Sequence, residues 1–240
     1  MNRIALVCIA KDEDYYLEEW LDYNHKLGFD KIIMYQNNWR TDVERPFLEK
    51  IEWDGEVQQL RAYNHFIETN TEYTHAAFID CDEFIVLKRH NNIHEFLERY
   101  DNKLGIGLNW RFFGNMGKLE RKGNSLLKQF TKRQMGVDTH IKVILNLHDK
   151  PRMVLPHNAN KPVLDTNGKT IIGPFHPNGV VDVAYICHFH SKTYEDWVVR
   201  CKRGRADTKS VSAKIGEWEI DKQYNNEIED LNAYNFMYNE

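Results

Sequence analysis

The chain is predicted to fold as an α/β domain on a doubly wound sheet. Three observations predict it. Through roughly the first 90 residues, short apolar runs alternate with amphipathic segments, the pattern of strands joined by crossover helices. The apolar run THAAFI at 74–79 stops abruptly at Asp80-Cys81-Asp82-Glu83-Phe84. An open α/β sheet carries its ligands there, just beyond the carboxyl ends of its strands. Finally, 240 residues with 42% apolar content are enough for one sizeable core.

The elements follow in order. Residues 4–10 (IALVCIA) read as a buried first strand. Lys11-Asp12-Glu13-Asp14 follows directly, so the run is too short for a signal peptide. Asp12 to Asp14 offer helix caps; Leu17, Trp20, Leu21 and Leu27 share a helical face, and Gly28 supplies the stop. Residues 31–35 form a second strand ending in Gln36-Asn37-Asn38. A short helix is expected over 43–50, a third strand over 57–60, and a helix over 61–70 leading into the strand that ends at Asp80. Further on, 93–100 reads as a helix and 105–110 as a strand. Residues 140–147 and 180–190 are further strands, separated by a long ordered loop rich in Pro, Asn and Gly over 151–177. Residues 194–205 read as a helix with a basic end, and Ile228, Leu231 and Tyr234 suggest a weak amphipathic helix in an aromatic tail. No repeat or linker divides the chain, so a single domain over 1–240 is expected: a nucleotide-binding half (1–90), an acceptor-side half (91–207) and a tail (208–240).

Composition narrows the function. A net charge of −4 with 28% charged residues argues against general nucleic-acid binding. No apolar run approaches the ~20 residues that span a bilayer. Cys8, Cys81, Cys187 and Cys201 have no paired spacing and read as reduced thiols of a cytoplasmic protein.

Four elements carry candidate chemistry. Asp80 and Asp82 together suit a divalent cation, which in turn holds a diphosphate; the same acids also suit a solvated loop or a helix cap. His188 and His190 share a face of an extended strand, and an imidazole completes a carboxylate site suited to Mn²⁺; surface strand-end histidines are the alternative. Lys192, Arg200, Lys202, Arg203 and Arg205 can neutralise phosphates or form a solvated helix face. Ala10-Lys11-Asp12-Glu13 is neither a phosphate loop nor a dinucleotide fingerprint, yet a base and ribose can sit there against Glu13 and Asn37. The pattern suggests an enzyme acting on a nucleotide-linked substrate.

These elements, in this order, resemble the glycosyltransferase-A superfamily, and more narrowly the family-92 (DUF23-type) and family-2 glycosyltransferases. The resemblance rests on Lys11-Asp12-Glu13, Tyr16, Glu19-Trp20, Tyr23-Asn24-His25 and Gly28. It continues through Tyr35-Gln36-Asn37-Asn38, Ile79-Asp80-Cys81-Asp82-Glu83-Phe84, Trp110 to Gly114, His188-Phe189, Lys192-Thr193 and Lys202-Arg203-Gly204, spanning roughly residues 3–207. Asp12 stands where the family has Asn, Asn24 displaces its Tyr-His pair, and Phe189 replaces Tyr.

The resemblance implies a glycosyltransferase-A fold, with a Rossmann-like, mostly parallel central sheet flanked by helices and a smaller irregular acceptor-side region. It implies an inverting, metal-dependent transfer of a hexose from a nucleotide-sugar donor, with a UDP-sugar as the family-weighted choice. The acceptor would be a hydroxyl of a glycan or glycolipid in polysaccharide, lipopolysaccharide or glycoprotein biosynthesis. Asp82 and His188 would ligate Mn²⁺ or Mg²⁺, with Asp80 at the ribose or bound through water. Ala10, Lys11, Glu13, Asn37, Asp80, Lys192, Arg200 and Arg203 would hold the donor. Asp138 leads the candidates for the base, ahead of Glu120 and Glu83; Trp110, Phe112 and Phe113 offer an aromatic platform to the acceptor or, the default for such residues, pack in the core. Peripheral membrane association through the tail, a dimer contact and core packing all stay open. So do two rival functions: a sugar-nucleotide nucleotidyltransferase, which would want a Gly-rich loop after strand one, and an inactive carbohydrate-binding or scaffold protein.

Overall fold

The computed structural model describes residues 2–100, 104–203 and 216–239. The first half contains β1 (Ile4–Ala10), α1 (Asp14–Leu27), β2 (Lys31–Gln36), β3 (Leu48–Glu52), α2 (Gln59–Thr69), β4 (His75–Phe78), β5 (Glu83–Leu87) and α3 (Ile93–Tyr100). The middle contains β6 (Ile106–Phe112), α4 (Leu126–Gln129), β7 (Lys132–Arg133), β8 (Ile141–Asn146), β9 (Met153–Leu155), β10 (Asn158–Ala159), β11 (Val163–Leu164) and β12 (Thr170–Ile171). The chain then runs through β13 (Ala184–His188), α5 (Tyr194–Arg203), α6 (Glu217–Tyr224), β14 (Ile228–Glu229) and α7 (Asn232–Tyr238).

The main sheet has the order β12-β11-β6-β8-β4-β1-β2-β3. Strands β3, β2, β1 and β4 are mutually parallel, as a doubly wound unit requires. β8 then runs antiparallel to both β4 and β6, so the sheet is mixed and the mostly parallel expectation holds only in part. At β6 the sheet splits. Its first residue pairs with β11, whereas Trp110 to Phe112 pair in parallel with β13, and β13 pairs antiparallel with β5.

The register explains why β1 is apolar throughout. Ile4, Leu6, Cys8 and Ala10 face one core, packed by α1; Ala5, Val7 and Ile9 face the other, packed by α2. A central parallel strand is covered on both faces and has no solvent side to mark with polar residues. Helix α1 ends as the sequence indicates: Gly28 adopts φ +103°, and the amides of Gly28 and Phe29 donate to His25 and Asn24 carbonyls. Its N-cap is Glu13, whose side chain makes no cap bond, and neither Asp12 nor Asp14 caps the helix.

Several expected elements take another form. The run 43–50 is not a helix; it leads extended into β3, because Pro46 interrupts any helical ladder and Leu48 pairs with Ile32 at the sheet edge. Residues 57–60 form a turn and the start of α2 rather than a strand. The 151–177 loop contains two small hairpins, β9/β10 and β11/β12. The tail packs on the body: Phe236 meets Tyr23 at 5.1 Å, and the Tyr238 hydroxyl donates to Glu19 Oε1 at 2.6 Å. Among the described residues, no helix is long and apolar enough to cross a membrane.

Candidate active site

The carboxyl ends of β1, β2, β4, β6 and β13 meet at one edge of the sheet, and antiparallel β8 brings its amino end there. A cleft of about 680 Å³ opens at that edge. That volume lies within the range of small-molecule and cofactor sites, roughly 300–1,000 Å³. Of the residues expected at a site, Ala10, Lys11, Glu13, Asn37, Asp80, Asp82, Trp110, Phe112, His188, Arg200 and Arg203 line it.

At one wall lies Asp82, buried. Its Oδ1 is 3.7 Å from His188 Nε2, across 106 residues of sequence, while Oδ2 is 3.4 Å from Arg200 Nη1 and 3.8 Å from Lys192 Nζ. Burial pushes the Asp82 carboxyl up, but Lys192 and Arg200 outweigh it and hold the group below the usual carboxylate range. Burial, helped by His190 and Arg200, pushes the His188 imidazole well down, so it is neutral. The ring packs on Trp110 at 4.3 Å and Phe112 at 5.0 Å, and its buried Nδ1 has no hydrogen-bond partner among the described residues. Lys192 lies behind this wall and, with Arg203, clamps Glu13: Lys192 Nζ is 3.4 Å and Arg203 Nη1 2.5 Å from its carboxylate. Glu13 therefore serves the cleft instead of capping α1. Between Lys11 and Glu13, Asp12 sits at φ +54°, a left-handed conformation that Asp tolerates better than most residues with a side chain.

Asp80 has a different environment. Its Oδ2 is 2.9 Å from Lys142 Nζ, and its Oδ1 accepts from Gln59 Nε2 at 2.8 Å. Burial and the Asp82 charge push it up, yet Lys142 leaves its pKa lowered. Lys142 is 1% exposed; burial pushes its pKa down, and the Asp80 carboxylate leads the groups that outweigh burial and leave it raised. Sequence reasoning missed Lys142 because a single lysine in an apolar strand reads as a surface position. Gln59, His140 and His157 were missed for a similar reason: each acquires its place only through the fold.

Other expectations fall outside the cleft. Glu83 is fully buried, accepts from the Asp80 amide at 2.9 Å, and burial pushes its pKa well up; it does not line the cleft. Phe113 is a core residue against Phe189 at 4.7 Å, because alternation along the strand turns Phe112 to the cleft instead. Asp138 lies behind the lining, beside His140. Glu120 and Lys202 are exposed and do not line the cleft. Gly204 and Arg205 lie outside the described residues. The opposite wall carries Val57 at φ +54°, strained for a β-branched residue, of the kind that collects at ligand sites.

The fit of a divalent cation follows from these groups. Ligands of one small cation, each bonded at about 2.1 Å, lie roughly 3–3.5 Å apart. Asp82 Oδ1 and neutral His188 Nε2, at 3.7 Å, are within a few tenths of an ångström of that and suit it chemically. Among the described residues no third His, Cys, Asp or Glu completes a metal-binding group, so the remaining ligands would have to come from a bound substrate or water.

No protein-family model matches this chain, and no curated protein sequence matches it. Among solved structures it is similar to the crystal structure of an active-site mutant of LgtC, at 10% identity and a TM-score of 0.36, over 90% of this chain and 94% of that one.

Proposed function

We propose that the protein is a metal-dependent, inverting glycosyltransferase. It takes a hexose from a nucleotide-sugar donor, a UDP-sugar first, to a hydroxyl of a glycan or glycolipid acceptor. One observation carries the reading: Asp82 and His188 meet at the wall of a large cleft, flanked by Lys192, Arg200 and Arg203. An otherwise acidic chain thus gathers cations where a diphosphate would lie. Asp82 and His188 would hold Mn²⁺ or Mg²⁺, which when bound supplies Lewis-acid stabilisation to a departing diphosphate. Arg200, Arg203 and Lys192 donate to the same oxygens and are already fixed by their partners, so little reorganisation is required of them. The base and ribose lie across Ala10 to Glu13 and Asn37, whose amide is held by Trp53 and Gly55 carbonyls.

Thermal shift with UDP, GDP, ADP and CMP, each with and without Mn²⁺, tests this. Binding at 100 times Kd stabilises by about 2.7 kcal/mol. A metal-dependent rise with one nucleoside diphosphate is expected. No shift with any of them would leave the inactive scaffold as the better reading, and pyrophosphate release from a nucleoside triphosphate would favour the nucleotidyltransferase.

A further inference from the structure

Transfer needs a group to take the acceptor proton, and the assignment made here rests on the glycosyltransferase reading. His140 lines the cleft, whereas Asp138 stands behind it. Asp138 Oδ1 lies 2.7 Å from His140 Nδ1 and accepts from the His140 amide at 2.9 Å. A carboxylate accepts, so the bond assigns the donor role to Nδ1, and in the tautomer that it selects Nε2 is the accepting nitrogen. The ring is fixed on its other sides. Trp110 stacks on it at 4.9 Å and 24°, Phe175 closes over it at 4.7 Å, and His157 lies at 5.4 Å.

The backbone is fixed as well. The Trp110 amide donates to the His140 carbonyl at 3.1 Å, and the His176 amide donates to Thr139 at 2.7 Å. His157, the other titratable group against the ring, is pushed down to about 3 by burial and nearby Lys142, and is neutral. Asp138 is the carboxylate in contact with His140. Phe175 is 50% exposed and offers an aromatic face to a sugar beside the imidazole.

We propose that His140 is the general base of the transfer and that Asp138 is its positioning residue. The acceptor oxygen bonds to the anomeric carbon while the bond from that carbon to the diphosphate oxygen breaks. The electron pair of the broken bond leaves with the diphosphate. The hydroxyl proton passes to His140 Nε2, and Asp138 stabilises the imidazolium so formed. His140 and His188 both pack on Trp110, at 4.9 and 4.3 Å, which keeps their rings within about 10 Å of each other.

The test follows UDP or GDP release from UDP-galactose, UDP-glucose and GDP-mannose with Mn²⁺, using 4-nitrophenyl hexosides and water as acceptors. His140→Gln is expected to keep nucleotide affinity within about twofold and to lose about 10²–10⁴ in kcat. Added imidazole is expected to restore part of the turnover of His140→Ala, which a merely structural histidine would not allow. Asp138→Ala is expected to lower kcat without raising the donor KM, and to add no further loss on top of His140→Ala. A wild-type protein that turns over while His140→Gln stays within fivefold of it overturns the base assignment alone. A wild-type protein that binds none of these nucleotides overturns the glycosyltransferase reading itself.

Discussion

Replacing Lys142 by Met tests how the acid motif is held. Lys142 is 1% exposed and sits 2.9 Å from Asp80 and 3.6 Å from Glu83. Breaking a fully buried ion pair costs about 3–5 kcal/mol, most of it from the stranded charge. Here the stranded group is Asp80, whose side chain is 35% exposed and keeps Gln59 as a donor, so solvent screens it and about 2 kcal/mol is expected. Asp80→Asn strands the lysine instead. With no exposure to soften that, the cost rises to the full range of about 3–5 kcal/mol, offset in part if Glu83 ionises. Lys142→Met with Asp80→Asn leaves no unpaired charge, and the Met stem fills the lysine's space, so the double variant should be more stable than Asp80→Asn alone. Urea denaturation of the four proteins measures the cycle. Each kcal/mol corresponds to roughly 2–4 °C in Tm for a chain of this size. Losses that add to within about 0.5 kcal/mol would refute the pairing, since uncoupled sites behave that way.

Asp82→Asn should abolish metal-dependent turnover, by at least about 10³-fold, with the melting transition kept. His188→Ala should weaken Mn²⁺-dependent UDP binding more than His190→Ala, read by titration. In acid, Asp80 and Asp82 have lowered pKa values, so the stability they contribute is present above the ordinary carboxylate pKa of about 4 and is lost as pH falls through their folded values. Glu83 has the opposite sign: its raised pKa makes the folded state bind the extra proton, so stability declines as pH rises above about 4.3. Glu83→Gln should flatten that decline in a denaturation series against pH. Gly28→Ala forces an L-residue to φ +103° and should cost about 1–2 kcal/mol, measurable as a lower urea midpoint.

In the first half, β1, α1, β2, α2 and β4 were legible because their signals are local. Apolar runs, the Gly28 stop and the break at Asp80 each lie within a few residues of what they specify. The mixed sheet was not. β8 and β4 are both short buried strands, and an apolar run carries no mark of its direction. β5 was missed because Glu83-Phe84 read as the end of a motif, although Glu83 opens a strand paired with β13. At the site, Asp82 and His188 were legible from the residue types at two strand ends. His140 was not, since nothing local separates it from a surface histidine; only the return of β8 beside β6 sets it against Trp110.

The two acids of the motif illustrate how far local pattern reaches. As an Asp-x-Asp pair they invite one shared role. The fold sends them to different partners: Asp80 to Lys142, 62 residues away on β8, and Asp82 to Arg200, 118 residues away on α5. Both oxygens of Asp80 are engaged by Lys142 and Gln59, which leaves it poorly placed to share a cation with Asp82. Asp82 instead stands at the cleft wall, its Oδ1 beside a neutral imidazole and its Oδ2 beside the cations Lys192 and Arg200. Neutralising the first acid should therefore register mainly as lost stability, and neutralising the second mainly as lost turnover. If Asp80→Asn and Asp82→Asn instead lost metal-dependent nucleotide binding equally, with equal melting temperatures, the pair would be acting as one chelate and this division of labour would be wrong.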